Sequence, residues 1–226
     1  MDIRSYEDWK ELSITADSNM VEYSIDNSRY GVLIEVAAQH PLKDGVYPDI
    51  EFKKRLDLGV RLYNKYKDLG YKVNIYVPGS LHKGDKIALG DAGRNYLIKN
   101  KIDIDDILAT EVTEELSDGN GVYGSYEECE IASLIFNNRK FKYLHCICSP
   151  PQVMRKVLSY IEFGLLPDIH TVDCYSKFHD YIDEIFVNIP YVLVGGDVLK
   201  KEVERLREER KVEWKQVEWK QVEWKQ

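Results

Sequence analysis

The chain lacks most of the short patterns that would point to a reaction. It contains no G-x-S-x-G elbow, no P-loop, no G-x-G-x-x-G turn and no H-E-x-x-H pair, so the reaction classes built on those motifs have no signature here. No apolar run is long enough to cross a bilayer. The opening MDIRSYEDWKELS is acidic and amphipathic, with no apolar core of a secretory signal. No membrane span and a cytoplasmic location are therefore expected. Cysteine is sparse. Cys129, Cys146, Cys148 and Cys174 form neither a CxxC pair nor a Cys/His zinc spacing. Buried, reduced thiols are expected and a metal site is not. No basic stripe offsets the net charge of −8, which argues against nucleic acid as a partner.

What is present is an alternation of two periodicities. YGVLIEVAA (30–38) is an almost continuous apolar run rich in branched residues, the pattern of a strand covered on both faces. Phe52, Leu56, Val60 and Tyr63 then recur at three- and four-residue spacing, as in an amphipathic helix, and Gly70 ends it. Further strands are predicted in YKVNIYVPGS, IDDILATE, KYLHCICS and IHTVDCY. Helices are predicted in GDAGRNYLIKN, in SYEECEIASLIFNN and after SPP. Ser125 is expected to cap the second of these, with Glu128 completing a capping box. Strands alternating with helices predict a three-layer, Rossmann-like α/β fold, with a mostly parallel sheet between helices. The expected organisation is a helical lead-in over 1–29, the α/β domain over 30–196 and a C-terminal helix over 197–226.

That last helix ends in VEWKQ repeated three times. A five-residue step advances about 500° around a helix, so the tryptophans do not form one stripe. Slippage, an engineered extension, and an arm for self-assembly or for a protein partner all fit the repeat. A membrane-surface helix fits less well for want of an apolar face.

In an open parallel sheet, ligands bind beyond the carboxyl ends of the strands. Those ends carry AAQH (37–40), PGSLHKG (78–84), ATE (109–111) and SPPQVMR (149–155). Ser149 and the two prolines suit the start of a helix, whose free N–H groups and positive end attract an anion. Gln152 and Arg155 lie one turn apart there. Arg155 either adds a guanidinium to that seat or pairs with Glu127 to brace two helices. Ser80, Glu111, Ser125 and Glu127 lie on neighbouring edges, and His40 and His82 lie on the edge loops. His145 falls inside a strand and is expected in the core.

The order of these stretches resembles that of the YdcF-like family, which includes relatives linked to the bacterial cell envelope. The likeness is carried by RLDLGVRLYNKYKDLGYKVNIYVPGS, NKIDIDDILATE, GSYEECEIAS and CSPPQVMRKVLSYIEFG. The resemblance matches Arg55, Gly79, Glu111, Ser125, Glu127, Ser149 and Arg155 to the family pattern. It implies a Rossmann-like fold with a polar crevice. The chain departs from it where EVAAQH replaces a glycine-rich strand end and where Gln152 replaces a histidine. Gln152 cannot exchange protons near neutral pH. Two classes of function follow. One is a protein that binds a small anionic, nucleotide-like or S-adenosylmethionine-like ligand at Gly79, Ser80, Glu111, Ser125, Glu127, Ser149, Gln152 and Arg155, as a transferase or hydrolase in its catalytic form. The other is a non-catalytic scaffold assembling through the repeated tail.

Overall fold

The structure is a computed structural model that describes residues 31–39, 41–117 and 124–172. The lead-in, His40, the segment from 173 onward and the VEWKQ repeats lie outside the described residues. Five parallel strands form one sheet in the order β3-β2-β1-β4-β5. They are β1 (Gly31–Val36), β2 (Lys72–Tyr76), β3 (Ile107–Leu108), β4 (Tyr143–Cys148) and β5 (Asp168–Thr171). The helices are α1 (Ile50–Asp68), α2 (Leu89–Lys99), α3 (Thr110–Leu116), α4 (Ser125–Asn138) and α5 (Val153–Glu162). The expected three-layer, Rossmann-like α/β architecture is what the chain adopts. Among the described residues no helix is long and apolar enough to cross a membrane.

Side-chain alternation on β1 divides the interior in two. Val32, Ile34 and Val36 point to one face, where Phe52, Leu56, Tyr63 and Tyr66 of α1 and Leu89, Ala92 and Leu97 of α2 cover them. Leu33 and Ala37 point to the other, against Ile131, Ala132 and Ile135 of α4 and Tyr160 of α5. The ends of α1 explain its length. Asp49 accepts from the Phe52 N–H at 2.7 Å. Gly70, at φ +82°, lets the Tyr71 N–H close back onto the Tyr66 carbonyl at 3.0 Å.

Two expectations need correction. The strand expected in IDDILATE covers only Ile107–Leu108, and its last residues, Thr110 and Glu111, open the helix α3. The capping box at Ser125 does not form. Gly124 is the cap, Ser125 is the first helical residue, and Glu128 turns inward to Lys156. The glycines that should weaken α2 are there for contact. A Cβ on Gly93 would sit 2.6 Å from Val77 Cγ1 and 3.3 Å from the Phe52 ring, so α2 lies flush on β2 only without one.

Gly93→Ala is expected to cost about 1–3 kcal/mol through overpacking, partly offset by a gain of up to about 1 kcal/mol in helix propensity. Urea midpoints of the two proteins check this. A second expectation concerns Tyr96, whose hydroxyl donates to Asp57 at 2.7 Å and ties α2 to α1. Burial and then that bond push its phenol up to about 12. An unfolded tyrosine releases its proton near pH ~10, so between 10 and 12 the folded chain holds a proton that the unfolded one has lost. The contribution is intact below 10 and vanishes as pH climbs through 12. Urea unfolding across this window should show falling stability, with a shallower fall in Tyr96→Phe.

Candidate functional site

The chain runs outward from β1 through β2 to β3, then returns to lay β4 on the opposite side of β1. The carboxyl ends of β1 and β4 are therefore the topological switch point, where an open α/β sheet leaves a crevice. Arg55 of α1 fills its floor. The residue is 1% exposed. Its Nη1 donates to the carbonyls of Ala37 at 2.9 Å and Ala38 at 3.1 Å, at the end of β1. Its Nη2 meets Gln39 Oε1, Glu51 Oε1 at 2.6 Å and Ser149 Oγ, the last at the end of β4. The Ser149 hydroxyl in turn donates to Glu51. One guanidinium thus joins two strand ends to the first turn of α1.

Behind this floor, on the α4–α5 side, lies a second polar cluster. Glu35 of β1 and Lys156 of α5 are both fully buried and pair at 2.5 Å. Lys156 also pairs with Glu128 of α4 at 2.6 Å, and the Tyr160 hydroxyl donates to Glu35. Burial by itself would pull the Lys156 ammonium down; the sulfur of Cys129 and the carboxylates of Glu128 and Glu35 outweigh it and hold it well above the usual lysine range. Burial and the charge of Glu35 push the Tyr160 phenol up. The three described cysteines are buried and reduced around this cluster, as expected. Burial pushes the thiols of Cys129 and Cys146 up. Among the described residues no group of three acidic, histidine or cysteine side chains is placed to hold a metal ion.

The sequence-predicted residues are distributed unevenly around the crevice. Ser149 stands at its centre. The prolines occupy a single 3-10 turn over Pro150–Gln152 that leads into α5. Gln152 folds back so that its Oε1 accepts from the Ser149 N–H at 3.2 Å. Gly79, at φ +116°, and Ser80 lie on the loop that follows β2, and their carbonyls receive the first N–H groups of α2. A Cβ at Gly79 would lie 2.8 Å from Leu89 Cβ, so close packing on α2 demands glycine there. Ser125 and Glu127 are buried in the first turn of α4, and Arg155 is half-buried in the first turn of α5. Glu111 lies elsewhere. It sits on α3, 48% exposed, and pairs with Arg94 of α2. The strand that leads into α3, β3, is separated from β1 by β2, about 10 Å at normal strand spacing. His82 is on the loop after β2. His145 is buried as expected, stacked on Tyr66 and 3.1 Å from a ring nitrogen of His170.

Four residues that organise this region were missed: Gln39, Glu51, Glu35 and Lys156. Each left a trace. Glu51 stands one helical turn before Arg55. Gln39 follows directly on a strand end. A lone acid inside the apolar run YGVLIEVAA requires an internal partner. The chain matches no protein-family model, and no curated protein matches it.

Removing one member of the inner cluster should expose how tightly it is balanced. Lys156→Met strands Glu35 without its cation and is expected to lower stability by about 3–5 kcal/mol. The triple change Glu35→Leu, Lys156→Met and Glu128→Leu leaves no buried charge. It should return to within about 2 kcal/mol of the original or exceed it. Denaturant unfolding of the three proteins measures both numbers.

Proposed function

We propose that the chain is a YdcF-like α/β protein that binds a small anionic, nucleotide-like ligand over the switch point between β1 and β4. The observation that carries this reading is the convergence of Arg55 and Ser149. They are 94 residues apart in sequence and belong to two different motifs of the resemblance, yet they meet at the place where open α/β sheets hold ligands. The strand ends Ala37–Gln39, Gly79–Ser80 and Ser149–Gln152 border the crevice. The amino-terminal turns of α4 and α5 open toward the same edge, because a helix that follows a parallel strand runs back against it. Their positive ends and the guanidinium of Arg155 favour an anion.

In its catalytic form the site would be a transferase or hydrolase. Gln152 stands where the resemblance has a histidine, and its carbonyl oxygen is taken by the Ser149 backbone, so it holds the turn and carries no proton. Glu51 is the group placed to orient the Ser149 hydroxyl. The expected order of events is binding of the anionic group at the helix ends, then presentation of the rest of the ligand to Ser149.

Thermal unfolding against a panel of nucleotides, sugar phosphates and S-adenosylmethionine tests this reading. A ligand at 100 times its dissociation constant adds about 2.7 kcal/mol of stability, which is several degrees of midpoint for a domain of this size. Arg155→Ala should remove the rise seen with phosphate-bearing compounds. A panel without any rise, or a rise that Arg155→Ala leaves intact, would overturn the proposal.

A further inference from the structure

We infer that the crevice floor recognises a pair of neighbouring hydroxyl groups, as on a ribose or another sugar; this rests on the binding reading above and names the part of the ligand that lies on Ser149. The argument is one of hydrogen-bond direction. An arginine only donates, so the atom of Gln39 that meets Arg55 is its carbonyl oxygen, and the Gln39 amide N–H groups are turned away from the guanidinium. The Ser149 N–H likewise takes the carbonyl oxygen of Gln152 and leaves that amide's N–H groups pointing elsewhere. Glu51 receives both Arg55 and Ser149 on one oxygen, and its second oxygen meets no donor from the described residues. Neither amide N–H group meets an acceptor there either.

The contacts fix the sequence of these groups. Gln39 and Glu51 share one nitrogen of Arg55, and Glu51 and Gln152 are both bonded to Ser149. Along this network the carboxylate comes between the two amides. A ligand above the floor meets donor, acceptor, donor. The groups are reachable, since Gln39 and Gln152 are half-buried and the Glu51 side chain is 22% exposed. A phosphate placed on this floor would face the Glu51 carboxylate at contact distance, a like-charge approach that is unfavourable. Adjacent hydroxyls satisfy every group at once. One donates to Glu51 and accepts from one of the two amides, and its neighbour accepts from the other. The anionic part of the same ligand then lies farther out, at the helix ends and Arg155. Site preferences of this kind are sharp, because an analogue without the hydroxyl leaves buried polar groups unmatched.

Calorimetric titration with ribose 5-phosphate, 2-deoxyribose 5-phosphate and inorganic phosphate tests the inference, on the original protein and on Gln39→Glu and Glu51→Gln. Ribose 5-phosphate should bind, and the deoxy sugar at least tenfold more weakly. Gln39→Glu keeps an oxygen for Arg55, so it folds, but it replaces the amide donors with a second carboxylate. Glu51→Gln keeps an oxygen for Arg55 and Ser149 while turning the acceptor into a donor. Both variants should lose tenfold or more for ribose 5-phosphate; measured without sugar, the midpoint of thermal unfolding should stay close to the original in Gln39→Glu and fall in Glu51→Gln, which removes the counter-charge of the buried Arg55. A merely structural role for Gln39 would leave sugar binding unchanged in Gln39→Glu. Equal affinity for the two sugars, or unchanged affinity in both variants, overturns the inference. Binding of inorganic phosphate with no preference between sugars does so while leaving the anion reading intact. No binding of any of the three overturns both.

Discussion

The fold depends on a guanidinium that bridges two strand ends. β1 and β4 run side by side, but their carboxyl ends diverge into different connections, and the carbonyls there have no ladder partners. Arg55 supplies the donors. It takes Ala37 and Ala38 on one nitrogen and reaches Ser149 with the other. A lysine has the charge but lacks the planar fork that serves several acceptors at once. Glu51 balances that charge from the same helix, one turn earlier. A buried cation here is tolerable only because nearly all its N–H groups are occupied.

β1 is gripped from both sides. Arg55 holds its end from the α1 layer, and Lys156 holds Glu35 from the α5 layer. The two clusters touch the same strand two residues apart on opposite faces, so the central strand is fixed in register against both helical layers. The rigid part of the crevice is therefore its floor. The inner cluster also ties the first turn of α4 to α5 through Glu128, which sets the distance between the two helix starts at the crevice edge.

The layers of the fold were legible in the sequence because they rest on periodicity, and periodicity is local. The run YGVLIEVAA, the spacing of Phe52, Leu56 and Tyr63, and the prolines after Cys148 each state their own conformation. α3 was not legible, since TEVTEEL is short, threonine-rich and nearly without apolar periodicity, and its fold follows from Val112 and Leu116 packing beneath it. The site was half legible. Ser149 and Gly79 are marked by turn chemistry at strand ends. Gln39 and Glu51 are marked only by what they meet, and those partners come from distant parts of the chain. The capping box at Ser125 failed for the same reason. Glu128 had a local partner available, but a fully buried ammonium outcompeted it.

The shortness of β3 has an effect on how the molecule meets its neighbours. β3 lies at the margin of the described sheet and pairs with β2 through only Ile107 and Leu108 before the chain coils into α3. So brief a border presents almost no row of open amides and carbonyls to a passing chain. Ladder growth from one molecule into the next is stopped at that margin, and a sheet with an apolar interior on both faces is kept from templating fibres there.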